Sequence, residues 1–388
     1  MMTTRVPLLA PTTAALLGLL SACAMASRND TAGGVDGPAT SEPDGVLCPM
    51  GASGVSASGL DEAEATTSSV VASGTSLSGN EVGPESTTLV DRLPNPVSLV
   101  LDKGTLYWTN HGTPPSFTDG SIMKMPAVGG AAVTIASNLI DPLFLAVASG
   151  KVYWTSGGSG GGSDGTINKV SVTGGPVITL ATDLLGPLGI VTNGSEVFFT
   201  SIGTRANNYN DGSVAKVSVT GGPVTTLAGA QVLPYYVAID ATSVYWTATI
   251  NAGIEKAPLA GGPATLLASS TGGPMGIAID AGKIYWTEII SSTVQGISTT
   301  GGPATQLADG QNRPSSIIAS GGDVFFTNAG TGTSDGSVVK VAKCGGAARV
   351  LGSGYENPFG IAVDASYVYV AVGGSSNGTG GSILRMAR

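Results

Sequence analysis

The chain has 388 residues and a formal net charge of −9, with only 11% charged residues and 59 glycines. Soluble domains ordinarily carry about 25% charged residues, so this composition describes apolar elements joined by many turns that tolerate positive φ. The lack of a basic excess in the sequence argues against nucleic acid as a partner.

The first residues carry one charge, Arg5, followed by an apolar run from Ala14 to Leu20. That run is too short to span a bilayer and suits the core of a signal peptide. It ends in Leu20-Ser21-Ala22-Cys23, which resembles the lipobox of bacterial lipoproteins. The resemblance implies that residues 1–22 are a lipoprotein signal peptide and that Cys23 is lipidated after cleavage. It places the protein in the bacterial cell envelope as a membrane-anchored lipoprotein, with Ala24 after the cysteine pointing to the outer membrane. Cleavage after Ala24-Met25-Ala26 is the alternative, and it yields a secreted protein. A triply acylated cysteine supplies more than the single buried chain that gives only marginal attachment.

Residues 23–86 are rich in Ser, Gly, Ala and acid and show no convincing strand alternation, so they read as a flexible tether. Their nine acids face one base, Arg28, and carry eight of the nine net negative charges. From Thr87 onward 17 acids stand against 15 bases, which makes the remainder nearly neutral.

Residues 87–388 repeat one unit. Met275 to Leu307 contains four short runs rich in β-branched and aromatic residues, each closed by Asp, Gly, Ser or Pro, which predicts a four-stranded antiparallel meander. Its aromatic step recurs at Tyr107-Trp108, Tyr153-Trp154, Phe198-Phe199, Tyr245-Trp246, Tyr285-Trp286, Phe325-Phe326 and Tyr369-Val370, at intervals of 40 to 47 residues. Such a period, with four strands per unit, predicts an all-β propeller whose blades bury their faces on one another. The innermost strands are expected at Val97–Leu101, Leu143–Ala148, Leu188–Val191, Val237–Asp240, Gly276–Asp280, Ser315–Ala319 and Gly360–Asp364, which makes seven blades. The last unit ends after a third strand, Ser382–Met386. Thr87–Val90 is expected to complete it and close the ring.

The tetrapeptides Tyr107-Trp108-Thr109-Asn110, Tyr153-Trp154-Thr155-Ser156 and Tyr285-Trp286-Thr287-Glu288 resemble the Tyr-Trp-Thr-Asp (YWTD) repeats of low-density-lipoprotein-receptor class B type propellers. The resemblance covers residues 87–388 at the level of pattern and implies a propeller with a bias toward macromolecular binding. The family's aspartate never occurs at the fourth position, and seven units stand where that family has six, so its receptor function does not carry over.

Repeated residues serve the blade. Lys124, Lys169, Lys216, Lys256 and Lys340 share one position in the third strand and read as rim lysines with buried stems and solvated heads. Asp119-Gly120, Asp164-Gly165, Asp211-Gly212 and Asp335-Gly336 read as turns with glycine at positive φ, since none has the acid spacing of a calcium loop. The Gly-Gly pairs between third and fourth strands read as turns. Cys48 and Cys344 are expected to form a disulfide, which an exported compartment permits.

Function is expected where blades differ. The loops between second and third strands share a face with those entering the innermost strands. That face presents Asn110, His111, Phe117, Asp141, Arg205, Tyr209, Tyr235, Tyr236, Glu288, Arg313, Asn328 and Asn357. Aromatics with arginine and amides suit a glycan, a peptide or an envelope protein. The expectation is a monomeric, non-enzymatic binding or scaffolding module without cofactor. A first alternative is a lactonase or hydrolase holding a divalent cation in the central channel through Glu288, Asp141, Asn110, Asn328 and Asn357. A second is a propeller lyase or small-molecule sensor. Gly157-Gly158-Ser159-Gly160-Gly161 matches a nucleophile elbow literally, but no helix follows it. His111 is the only histidine, so there is no histidine cluster for zinc.

Overall fold

The computed structural model describes residues 86–158, 163–250, 253–374 and 378–388. The expected signal peptide, Cys23, Cys48 and the expected tether up to residue 85 lie outside the described residues, as does Ser159 of the glycine-rich loop. Among the described residues no helix is long and apolar enough to cross a membrane.

Seven sheets of four antiparallel strands stand around an axis, as the repeat predicts. The inner strands of blades one to seven are Pro96–Asp102, Pro142–Ala148, Pro187–Thr192, Pro234–Ile239, Pro274–Asp280, Pro314–Ser320 and Pro358–Val363. In blade seven the outer place is taken by Thr87–Leu93, with Thr87 opposite Arg385 and Leu93 opposite Gly381. The ring is therefore closed by the N-terminal strand, and one open edge is removed. Inner and third strands run from one face, here called upper, to the other, called lower, while second and outer strands return.

The aromatic step explains the stacking. Successive residues of a strand point to opposite faces of the sheet. Trp108 thus packs with Tyr369 and Ala371 of blade seven, and Tyr107 with Leu145 and Trp154 of blade two. Trp108, Trp154, Trp246 and Trp286 are at most 1% exposed. Each full burial of so large a ring removes roughly 150–250 Å² from water, so the interfaces between blades are the core.

The threonine that follows the aromatic pair ties blades one, two, three, five and six each to the next. Thr155 Oγ1 accepts the Phe144 N–H of its own inner strand and donates to the Leu188 carbonyl of blade three at 2.9 Å. Thr109, Thr200, Thr287 and Thr327 do the same toward Leu143, Tyr235, Ser315 and Phe359. The inner strand is bulged at this point in every blade, and in blades one to six the hydroxyl supplies the partner that the ladder omits.

Two sequence expectations need correction. The lysine heads are not free in solvent: Lys124, Lys169, Lys216 and Lys256 each donate to a backbone carbonyl of the following blade, at 2.6–2.9 Å. A donor on a long flexible stem reaches an acceptor that the turn leaves unpaired. The glycines of the Asp-Gly pairs do not have positive φ. They are needed for close approach, because a Cβ on Gly120 or Gly212 would lie 2.5 Å from the ring of Pro142 or Pro234 at the start of the next blade. The Gly-Gly pairs do lie in the left-handed region, as with Gly129 and Gly130.

Candidate functional site

The upper face is organised by the residue before each inner-strand proline. Asn95, Asp141, Gly186, Leu233, Gly273, Arg313 and Asn357 all have φ between +48° and +70°. Each carbonyl accepts the N–H of the residue just after its own second strand, for example His111 to Asn95 at 2.9 Å and Ala329 to Arg313 at 3.0 Å. Proline disfavours helical backbone before it, and the paired carbonyl holds the left-handed turn. The result is a ring of seven equivalent positions around the channel mouth, two of them glycine. Asn95, Asp141, Arg313 and Asn357 make one arc of it polar.

His111 is the centre of that arc. It is 3% exposed and stacked on Phe117, with ring centroids 4.2 Å apart. Its Nε2 is bonded to Asp141 Oδ1 of blade two, and Asn95 Nδ2 lies 3.3 Å from its Nδ1. With Asn95 donating to Nδ1, the ring proton sits on Nε2 and is given to the Asp141 carboxylate. Both nitrogens are thus engaged, and the imidazole joins three loops. Asp141 also lies against Gly157, where any side chain would collide with its carboxylate.

Glu288 ends the second strand of blade five and is 6% exposed. Its carboxylate accepts Ser270 Oγ at 2.6 Å, Trp286 Nε1 at 3.0 Å, Ser291 Oγ at 2.7 Å and Thr293 Oγ1 at 2.7 Å. Burial pushes the carboxyl upward, but the hydroxyl and indole donors outweigh it and hold the pKa below the ordinary 4.5. Asn110 and Asn328 occupy the same position in blades one and six, and each donates to a serine on its own third strand. Asp141 is taken by His111. The side chain of Asn357 lies near Gly332 of the neighbouring loop, and its Oδ1 has no hydrogen-bond partner. The five residues of the cation alternative thus belong to five different blades. Among the described residues no group of three or more His, Cys, Asp or Glu side chains could hold a metal ion.

The upper end of the channel is filled by aromatic rings. Phe144 of blade two meets Tyr236 of blade four edge to face at 4.9 Å and Phe359 of blade seven at 6.1 Å. Tyr235 lies 5.5 Å from Tyr236, whose hydroxyl bonds Ser316 Oγ of blade six at 2.9 Å. Burial raises the Tyr236 phenol well above its ordinary pKa. Tyr236 and Phe359 are half-buried, so part of each ring stays open. Asn95, Phe144, Ser316 and Phe359 escape sequence reasoning, although the proline that recurs before each inner strand marks the place.

The remaining predicted residues are set outside this cluster. Arg205 is exposed at the start of a 3-10 turn, Arg205–Asn207, in the loop of blade three. Tyr209, with φ +58°, closes that loop, and its carbonyl accepts Leu233 N–H at 3.1 Å. Asp211 caps it, bound by the Thr204 hydroxyl, the Thr204 N–H and Asn207, which lower its pKa to about 2. Asp119 and Asp335 cap the equivalent loops of blades one and six. Cys344 is exposed at the lower face, and its expected partner Cys48 is outside the described residues.

No family model matches the chain, and no curated protein does. Solved structures of the same shape exist. A streptogramin B lyase superposes with a TM-score of 0.61 and 18% identity, over 78% of this chain and 97% of that one. A virginiamycin B lyase from Staphylococcus aureus gives 0.60 and 17%, over 77% and 98%. A nidogen/laminin complex covers 63% of this chain and 74% of its own, at 18% identity and a TM-score of 0.39. At this identity, the likeness to the two lyases establishes the propeller fold.

Proposed function

We infer that this chain is an exported, lipid-anchored β-propeller that binds a glycan, peptide or protein without transforming it, at its upper face. The observation that carries this reading is the aromatic floor of that face. The open parts of Tyr236 and Phe359 lie inside a ring that offers Arg313 and Asn357, a combination suited to a sugar or side chain with an apolar face and polar edges. The groups best placed for chemistry are already committed. His111 is buried with both nitrogens engaged, and Glu288 receives four donors from its own blade. A lyase reading draws support from the shape shared with two lyases.

Titration calorimetry of the purified chain against N-acetylglucosamine oligomers and short peptides tests this reading. Binding is expected to weaken about tenfold or more in Tyr236→Ala or Phe359→Ala. Consumption of virginiamycin B by the same sample would assign a lyase and overturn it.

A further inference from the structure

The near-neutral charge of residues 87–388 hides a division between the two faces. Strand direction assigns each charged residue to an edge. Of 15 bases, Arg92, Arg205 and Arg313 alone lie at the upper edge, and the other twelve lie at the lower. Of 17 acids, only Asp102, Glu196, Asp240, Asp280, Asp323 and Asp364 lie at the lower edge, with Glu255 mid-strand. The lower face is thus strongly basic and the upper face acidic.

The lower acids are largely spoken for. Glu196, Asp323 and Asp280 pair with Lys216, Lys340 and Lys343. Asp240 and Asp364 accept turn N–H groups and the hydroxyls of Tyr245 and Tyr369. Lys124, Lys169 and Lys256 reach across blades to neutral carbonyls, which leaves their charge uncancelled. The side chains of Lys103, Lys151, Lys283 and Arg349 form no ion pair or hydrogen bond with a described residue. Among the described residues, the same edge carries eight of the nine large apolar side chains that stand exposed, including Val128 at 83%, Leu266 at 55% and Val350 at 50%.

We propose that the lower face docks on an anionic phospholipid surface. Cations and exposed aliphatic side chains together are what an interfacial surface needs, with the apolar groups entering the headgroup layer and the cations meeting phosphate. They are spread around a disc and do not line one groove, which fits a plane better than a strand of nucleic acid. The chain also enters here, since the N-terminal strand begins at this edge with Thr87 opposite Arg385. The docking is independent of lipid at Cys23 and of any ligand on the upper face.

The test is vesicle co-sedimentation of the full chain bearing Cys23→Ser. Phosphatidylcholine vesicles are compared with mixed phosphatidylcholine and phosphatidylglycerol vesicles, at low salt and at about 0.5 M salt. Anionic vesicles are expected to bind the protein at least tenfold more tightly than neutral ones at low salt, and the excess is expected to vanish at high salt. Lys103→Gln, Lys151→Gln and Lys283→Gln combined should lower the anionic partition coefficient about a hundredfold, at roughly fivefold per cation. Arg205→Gln with Arg313→Gln, on the other face, should leave it unchanged. Equal binding to both vesicle types, or a triple variant that binds as before, overturns the proposal. So does capture of duplex DNA without capture of anionic vesicles.

Discussion

Blade two meets blade three through Lys169, whose Nζ lies 2.6 Å from the Val219 carbonyl. Blade five meets blade six without such a lysine, because Gly296 holds that position and an added Cβ there would stand 3.2 Å from the Tyr285 ring. The cation comes from the other side, with Lys343 of blade six reaching back to Asp280. Blade seven does likewise: the Arg388 guanidinium bonds the Ser320 carbonyl and covers the Phe325 ring at 4.9 Å. At the closing interface the direction is forward again, from Arg385 to the Val128 carbonyl. The interface therefore demands a cation at its lower end and is indifferent to which blade supplies it. The acceptor across the interface is a backbone carbonyl, which carries no signature of its own, except between blades five and six, where it is the Asp280 carboxylate.

The most severe way to break this scheme is at the closure. Deleting residues 87–93 removes the outer strand of blade seven, and the melting temperature is expected to fall by about 10 °C or more in circular dichroism. An unchanged melt would mean that a three-stranded blade suffices.

Blade five departs from its neighbours at the upper end too, where Glu288 stands at the position of Ala248 in blade four and Asn328 in blade six. Glu288→Ala leaves four donors without their acceptor and should cost about 2–3 kcal/mol in denaturant unfolding. Because its folded pKa is depressed, Glu288 stabilises the protein above its ordinary pKa of 4.5, and that contribution fades as pH falls through the lower folded value. Stability of Glu288→Gln should accordingly fall less steeply below about pH 4.5 than that of the parent. Parallel acid profiles would remove Glu288 from the account.

The smallest effects sharpen the comparison most. Lys169→Met and Lys343→Met should each cost about 1 kcal/mol, and their sum should be additive, since forward and backward cations do the same work at separate interfaces. A loss for Lys169→Met with none for Lys343→Met would make the backward contact a surface accident.

The blades were legible because each repeats its aromatic pair at a fixed interval, and the closure because Thr87–Val90 copies an outer strand. Contacts between blades were not legible in the same way. Lys169 and Val219 are fifty residues apart, and a carbonyl acceptor leaves no trace in side-chain identity. Gly120 reads as a turn glycine until Pro142 of the next blade is seen against it. On the upper face the sequence picks out His111 and Asp141 separately. Their pairing depends on a left-handed residue before a proline, which turns Asp141 back over blade one. Glu288 looks like a free acid in sequence, and only its four neighbours in space show that it is saturated.

The closing strand has one more consequence. It starts at the lower face and runs the height of blade seven beside Gly381–Ala387. Tension drawn through residue 86 while the upper face is held acts along that strand, so its hydrogen bonds bear load together in shear and do not peel one by one. The seam that completes the fold is also the point at which a pulled molecule is mechanically strongest.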